Sequence, residues 1–552
     1  MGNFQAMKRL TTILLLLAFG CWMAANRAQA QTGYTQPKYE VRAMWLTTIG
    51  GIDWPHSYAR SSEGIEKQKQ ELRDILDKLK KANINTILLQ TRVRATTIYP
   101  SDLEPWDGCL SGQPGVSPGY DALQFAIEEC HRRGMECHAW VVTIPIGKWN
   151  GAGCRNLRRT HPELLRKIGE EGYMNPEHTG TADYLARICR DLTRRYDIDG
   201  IHLDYIRYPE TWRIAVPRWQ GRENITRIVR KIHDAVKSEK PWVKMSCSPI
   251  GKYTDLSHHS SHGWNAYEKV CQDAQGWLRD GLMDQLYPMM YFRADQFYPF
   301  AADWAYHAYG RTVAPGLGIY FLDPREGKWQ LQDVTRELHV LRQLGLGHTY
   351  FRSKFFTDNT KGIYDYACNY VDLYPALVPP MTWQSNHKPV APSTLRVEYG
   401  QQTRLSWSGA SPYYNIYASR EFPVNTDDVR NLIAQRVEGQ SICINSAAER
   451  FYAVTAMDRY GNESNAMQSY VKGTPRQQLL KHDGRRLQLP KKNGTLDAEF
   501  VTIETMQGSV VATRPYRGET INITDIRDGV YILRSLNHKG ITHRLGSFII
   551  KR

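Results

Sequence analysis

The sequence predicts a (β/α)8 barrel of the TIM type followed by two small all-β sandwich domains. Three observations carry that prediction. Between residues 39 and 375, strand-like apolar runs alternate with helix-length amphipathic stretches to give eight strands, the pattern of a parallel sheet whose crossovers are helices. No glycine-rich phosphate loop follows an early strand, which argues against an open doubly wound sheet. Beyond Pro375 the helical periodicity stops, and short β-like runs separated by turn residues take over, as in sandwiches.

In chain order, the first strand is read at 40–47 and a charged helix at 63–82. Strand two is 86–92, and a helix at 121–133, opened by Asp121 as its N-cap, leads to strand three at 136–142. The helix at 182–196 feeds strand four within 199–209, and the helix at 222–238 feeds strand five at 243–248. A helix at 267–280 precedes strand six at 283–291; strand seven at 313–320 and a helix at 331–344 precede strand eight at 348–352. The barrel domain is thus placed at 31–378, a proline-rich linker at 379–392, one β-domain at 393–473 and a second at 474–552. Consecutive prolines stiffen such a linker.

Residues 1–30 read as an export signal: Lys8 and Arg9 precede an apolar run at 13–19, and Ala28-Gln29-Ala30 has the small-x-small cleavage pattern. Cys21, after Ala18-Phe19-Gly20, offers lipid attachment as the competing reading. The apolar run is too short to span a bilayer comfortably, and no later stretch is long and apolar enough to cross one. The expected address is periplasmic, outer-membrane-associated or extracellular. The formal charge is +15, of which Lys8, Arg9 and Arg27 account for three, leaving +12 from Gln31 onward. Such a balance favours anionic polymers; an exported chain makes nucleic acid the poorest of these. Nine cysteines remain beyond the leader and none has metal-ligand spacing, so no metal or other cofactor is expected. Cys130, Cys137, Cys189, Cys247 and Cys271 sit in apolar runs and read as buried thiols, while Cys109 and Cys154 fall in loops where a disulfide is open.

The stretch Asp199-Gly-Ile-His-Leu-Asp204-Tyr-Ile-Arg-Tyr-Pro209 organises the rest. Strand alternation puts His202 and Asp204 on one face and Ile201, Leu203 and Tyr205 on the other. In a parallel barrel the carboxyl ends of the strands form the mouth where chemistry is built, so Asp204 is the first catalytic candidate. Expected beside it, as substrate contacts, are Arg42, Trp45, Gln90, Arg92, His138, Trp140, His202, Tyr205, Arg207 and Tyr291, with Asp53 and Glu104 as further catalytic carboxylates. Aromatic rings to stack on apolar sugar faces, together with arginines and few carboxylates, suit a carbohydrate cleft. A single tryptophan in a strand is more often core than ligand; the convergence is what speaks for a site.

Several separated motifs occur in order: Val41-Arg42-Ala-Met-Trp45-Leu-Thr-Thr with Ile52-Asp53-Trp54-Pro55, Leu89-Gln90-Thr-Arg92, Glu104-Pro-Trp106, Pro118-Gly-Tyr-Asp121, His138-Ala-Trp140, Met174-Asn175-Pro176 and the central stretch. On these, the barrel resembles glycosyl-hydrolase-like family 10 of secreted bacterial proteins. That resemblance implies cutting of peptidoglycan glycan strands stripped of peptides, so the expected partner is that carbohydrate polymer. Met289 stands where the family often carries a Gln. The central stretch also resembles the family 18 chitinase signature, but Ile206 occupies the place of its catalytic Glu, which excludes that mechanism. "YAVTAMDRYGNES" and the early Trp407 resemble a fibronectin type III module, and the ending at 528–552 resembles a C-terminal sorting domain of the type IX export system of Bacteroidetes.

Glycoside hydrolysis ordinarily needs one carboxyl to protonate the leaving oxygen and a second to attack, stabilise or activate water. Arg92 or Arg207 is expected to favour ionised Asp204, making it nucleophile, stabiliser or base, and Glu104 ranks ahead of Asp53 and Asp102 as the acid. Asp284 lies at the wrong end of its strand. With an N-acetyl sugar, the acetamido oxygen is an alternative nucleophile that Asp204 would orient. The competing classes are a non-catalytic glycan-binding protein and a hydrolase of another extracellular polysaccharide.

Overall fold

The computed structural model describes residues 36–400, 402–445, 451–469, 479–489, 499–505, 509–517, 519–537 and 542–551. The expected export signal at 1–30 and Cys21 lie outside the described residues. The chain falls into two units, the first ending at Val378 and the second opening at Pro379.

The first unit is a TIM-like α/β core. Its strands are β1 (Arg42–Leu46), β2 (Thr86–Val93), β3 (Glu136–Val142), β4 (Gly200–Asp204), β5 (Lys244–Cys247), β6 (Gln285–Leu286), β7 (Thr312–Val313), β8 (Gly316–Leu317) and β9 (His348–Tyr350). They lie in the order β7-β6-β5-β4-β3-β2-β1-β9-β8, every neighbouring pair parallel. The segment 312–317 reaches both ends of that row, through β7 to β6 and through β8 to β9, and Met289 bridges to Gly316. Helices connect the strands: α1 (Ser62–Lys81), α2 (Ala122–Arg132), α3 (Thr179–Arg195), α4 (Arg218–Glu239), α5 (Ala274–Arg279), α6 (Tyr298–Tyr306) and α7 (Leu331–Gln343). Ser61 caps α1 through Gly64 N–H, and Asp121 caps α2 through Gln124 N–H, so the expected cap is where the sequence puts it.

Period-2 alternation sorts the strand residues between two apolar groups. Met44, Leu46, Ile87, Leu89, Cys137, Ala139, Val141, Ile201, Leu203 and Met245 pack with the helices; Ala43, Trp45, Leu88, Trp140, Val142, Tyr287 and Ala314 pack together on the inner face. Burial on both faces explains why β2 and β3 read as continuous apolar runs. Tyr205 departs from the expected parity and packs with the inner-face group, because its φ of 51° turns the chain left-handed at the end of β4. Strands six and seven are shorter than expected because Pro288 and Pro315 offer no N–H to a ladder. The helix expected at 267–280 begins only at Ala274: Cys271 has φ 56° and Asp273 caps the shorter helix.

The amino-terminal ends of the strands are sealed by a buried ionic network, and Arg42 belongs to it rather than to the mouth. Arg42 Nε donates to Glu40 Oε2 at 2.7 Å and lies 3.2 Å from Asp372 Oδ1. Arg342 donates to both Glu40 oxygens, at 2.8 and 2.5 Å, and to Asp372 at 3.2 Å, while His348 Nε2 stands 3.2 Å from Asp372 Oδ2. Glu40, His348 and Asp372 are close enough to share a cation, but two guanidinium groups already occupy the carboxylates. Burial by itself would raise the Asp372 pKa; His348, Arg42 and Arg342 outweigh it and hold the carboxyl well below the usual range.

The second unit is all β. Thr394–Glu398, Thr403–Ser408 and Ser441–Ile444 form one antiparallel sheet, and Leu432–Val437, Tyr413–Ser419, Phe451–Met457 and Met467–Gln468 form another. Leu405, Trp407, Tyr414, Ile416, Tyr452 and Val454 are buried together. Further along, Val510–Pro515, Phe500–Thr505, Gly529–Leu536 and Thr542–Ile550 make a four-stranded sheet, and Arg486–Gln488 pairs with Thr520–Asn522.

Removing one partner from a buried charge network strands the others. Asp372→Ala is therefore expected to lose about 3–5 kcal/mol of stability in urea unfolding. Because the folded pKa is depressed, the Asp372 contribution is complete above the unfolded value of about 4 and fades as pH falls towards the folded one. Stability of wild type that stays flat below pH 4 would contradict this.

Candidate active site

Asp204 ends β4 and is 6% exposed. Its Oδ1 accepts from Ser248 Oγ at 2.8 Å and from Tyr205 N–H at 2.8 Å; Oδ2 accepts from Trp140 Nε1 at 3.1 Å. Its backbone oxygen takes Thr143 N–H and Oγ–H at 2.9 and 2.8 Å. The left-handed turn at Tyr205 is what folds that amide back onto the preceding carboxylate, a conformation that costs a non-glycine residue about 1 kcal/mol or more. Burial pushes the Asp204 pKa up, and it prevails over the opposing bonds from Ser248, Trp140 and Tyr205 and the charge of Arg207. The expectation of a carboxylate kept ionised by arginine is corrected: desolvation dominates, and Arg92 is engaged elsewhere.

Arg207 is 3% exposed and stacks on the Tyr205 ring at 4.5 Å. Its Nη1 lies 3.4 Å from Glu210, whose side chain is 38% exposed. Tyr291 has a buried hydroxyl with no hydrogen-bond partner; burial raises its pKa far up, and Tyr320, Asp204 and Tyr205 add to the effect. Asp204, Trp140, Tyr205, Arg207 and Tyr291 thus form one group at the mouth.

The other expected residues lie elsewhere, each for a visible reason. Trp45 is 2% exposed and forms the layer beneath, its Nε1 donating to His202 Nε2 at 3.2 Å. Because that ring nitrogen accepts, Nδ1 carries the proton towards Ser246 Oγ at 3.0 Å. Burial, aided by His138, drives the His202 pKa well below its ordinary value, so His202 is a neutral core imidazole and not a sugar contact. His138 is deeper still, 3.0 Å from Glu136, which Lys244 also holds at 2.7 Å. Gln90 spends its carbonyl on Thr48 and Ile49 N–H, at 3.0 and 2.8 Å, bracing the loop after β1.

The two further carboxylates are consumed in structure. Glu104 takes a bidentate fork from Arg92, at 2.7 and 2.6 Å, and the Tyr184 hydroxyl at 3.2 Å, all buried. Asp53 accepts from Thr47 N–H and Oγ–H at 3.0 and 2.7 Å, from Lys354 N–H at 3.1 Å and from Arg352. Asp284, set aside from its position, pairs with Lys237 at 2.7 Å. Cys109 and Cys154 are both free.

Ser248 and Glu210 were missed. Ser248 follows Lys244 and Ser246 at alternate positions of the fifth strand, a polar parity that marks an inner face; Glu210 directly follows the central stretch. The loops after β6, β8 and β9 add an aromatic group at the same end: Tyr291 lies 5.7 Å from Tyr320 and 5.4 Å from Phe351, and Phe321 5.0 Å from Trp329.

A TIM-like core with a buried carboxyl, its pKa raised by desolvation, and aromatic side chains at the carboxyl ends of its strands fits the glycoside hydrolase class. A profile of the family described as glycosyl hydrolase-like 10 matches residues 40–214 and 210–315, half of the chain in all; the chain belongs to that family, and it is a glycoside hydrolase. It is 28% identical to "Glycosyl hydrolase YngK" of Bacillus subtilis (strain 168), over 84% of this chain and 99% of that protein. It is 29% identical to "Glycosyl hydrolase DigH" of Escherichia coli (strain K12), over 47% of this chain and 66% of that one. Among solved structures, the PgaB (BpsB) glycoside hydrolase domain of Bordetella bronchiseptica is 14% identical, with a TM-score of 0.42 over 60% of this chain and 98% of that chain.

If the Arg92–Glu104 pair is a brace, Glu104→Gln should cost about 3 kcal/mol of stability and leave the pH profile of kcat unchanged in the folded enzyme. A lost limb in that profile would return Glu104 to the chemistry.

Proposed function

We propose that this glycosidase cleaves the glycan strands of peptidoglycan from which peptides have been removed, with Asp204 as the general acid. The observation that carries the role is Asp204 itself: buried, with a raised pKa, yet held by three donors that fix its direction. A carboxyl that keeps its proton to higher pH can give it to a leaving glycosidic oxygen. Glu210, exposed and tied only through Arg207, is the second carboxylate. One group is dry and the other wet, and that contrast separates acid from base or nucleophile. The charge of +12 beyond the leader and the family resemblance support an anionic cell-wall glycan as the substrate.

Around this site we read the strand row as a closed (β/α)8 barrel, since 312–317 pairs with both of its ends. The second unit supplies a fibronectin type III-like sandwich with Trp407 in its core, followed by a terminal β-domain that serves either surface sorting or glycan attachment. Export rests on the leader pattern.

Purified enzyme and Asp204→Asn are incubated with peptide-free strands and with intact sacculi, and products are read by mass spectrometry. Shorter oligosaccharides from the peptide-free strands are expected for wild type, with turnover reduced about 10³-fold or more by Asp204→Asn at unchanged thermal stability. Glu210→Gln should lower kcat as well; full activity there points to attack by the acetamido oxygen. Binding without products from either substrate would make the chain a glycan-binding protein.

The pH dependence has a definite sign. Activity that needs protonated Asp204 falls as pH rises through its pKa. Ser248 lowers that pKa, so Ser248→Ala should move the alkaline limb of kcat/KM to higher pH. A limb that stays put, or moves down, removes Asp204 as the acid.

A further inference from the structure

A cavity of ≈ 710 Å³ opens among the loops that follow β1, β2 and β3, on the same end of the sheet as Asp204 but not lined by it. Ile146 in its wall is three residues beyond Thr143, which holds the Asp204 carbonyl, so a short run of chain ties this wall to the end of the strand that carries the candidate acid. Its floor is largely backbone. Gly50 and Gly51 line it with positive φ and nothing in the space a side chain would take, and Gly153 seats the following helix against Arg94 and Ala95, whose carbonyl oxygens a Cβ would meet at 2.1 and 2.4 Å.

The groups that reach into this hollow sort into spent and unspent. Asp107 is spent: it accepts from Thr96 Oγ–H at 2.5 Å and from Cys109 N–H at 2.8 Å. Arg94 and Lys148 are exposed, and among the described residues neither side chain makes a hydrogen bond or ion pair. The Arg94 stem lies over Gly147, where a Cβ would come within 3.0 Å of it, so the stem is fixed while its guanidinium is left to a ligand. Lys148 stands opposite Glu171 in an antiparallel pair of Pro145–Lys148 with Glu171–Met174. Tyr58, 53% exposed with the Arg60 guanidinium 5.0 Å from its ring centre, edges the hollow.

An exposed ring, a side-chain-free floor, two unspent cations and one carboxylate describe a sugar site more closely than an ion site. The ring takes an apolar sugar face, Glu171 accepts from a hydroxyl or amide N–H, and the two cations hold a carboxylate on the sugar. We propose that this hollow is a subsite for a carboxylate-bearing sugar residue of the substrate strand, flanking the residue at Asp204. The assignment rests on the proposed glycan-strand substrate, and names the part of the protein that distinguishes it from an uncharged N-acetylglucosamine polymer.

The test uses the full-length Asp204→Asn protein, so that binding is read without turnover. Calorimetry compares oligosaccharides from peptide-free strands with the same oligosaccharides after their carboxyl groups are reduced to alcohols. The native ligand should bind about ten-fold more tightly than the reduced one, the scale of two partly exposed charge pairs. Arg94→Gln with Lys148→Gln, both at exposed positions, should erase that gap while leaving affinity for the reduced ligand unchanged; Tyr58→Ala should weaken both ligands alike. A gap that survives the double variant, equal affinity for the two ligands in the unaltered subsite, or no binding of either overturns the assignment. If the gap and its loss are seen while the protein with Asp204 restored cuts no strand, the subsite stands and the hydrolase reading of this substrate falls. If strands are cut without any gap, the reverse holds.

Discussion

The placement of one carboxyl group, Asp204, is the constraint from which the rest of the site follows. It ends the strand that carries His202, with Trp140 of β3 beside it, and desolvation by burial pushes its pKa up. Left without partners, such a group would turn freely and cost several kcal/mol. Ser248 from β5's end, Trp140 from β3 and the folded-back Tyr205 amide hold it from three directions. Three donors would normally favour an ionised carboxylate. Burial still prevails, and the layer beneath is closed by Trp45, which meets Tyr287 and Phe351 edge to face and His202 at a tilt, and by Tyr287, edge to face with His202.

The two ends of the sheet spend charge differently. At the amino-terminal end, Glu40, Asp372, Arg42, Arg342 and His348 pair with one another in a largely buried network, which is a means of fixing strand ends and capping a polar interior. At the mouth, the pairs Arg92–Glu104 and Asp53–Arg352 do similar work in the loops, while Arg207 has a single, longer link to an exposed partner. Charges that are closed off serve the fold, and charges left partly open mark where substrate meets it.

That distinction also measures what could be read in the sequence. The alternation of strands and helices, the parity that sets His202 and Asp204 on one face and the Asp121 cap are local signals, and they survive because period and capping are decided within a few residues. Residue type was a poorer guide to role. Glu104 and Arg92 both stand out by type, one as acid and one as substrate contact, yet the chain between them folds back so that each neutralises the other. Arg42 carries the chemistry of a sugar clamp at the wrong end of its strand. Ser248, with no charge to draw attention, touches Asp204 directly.

The same reasoning explains why the hollow beside β1, β2 and β3 did not show in a motif search. Gly50 and Gly51 leave open space in its lining, and its cations come from two separate loops, one of them on an antiparallel insertion between β3 and α3 that the alternating pattern does not require. A hydrolase of polymers has to hold several sugars at once, since strain and orientation at the scissile bond are drawn from contacts to remote residues. The core supplies one buried carboxyl. In the proposed subsite the loops supply that reach along the strand, with an exposed tyrosine and two cations that make no ion pair among the described residues.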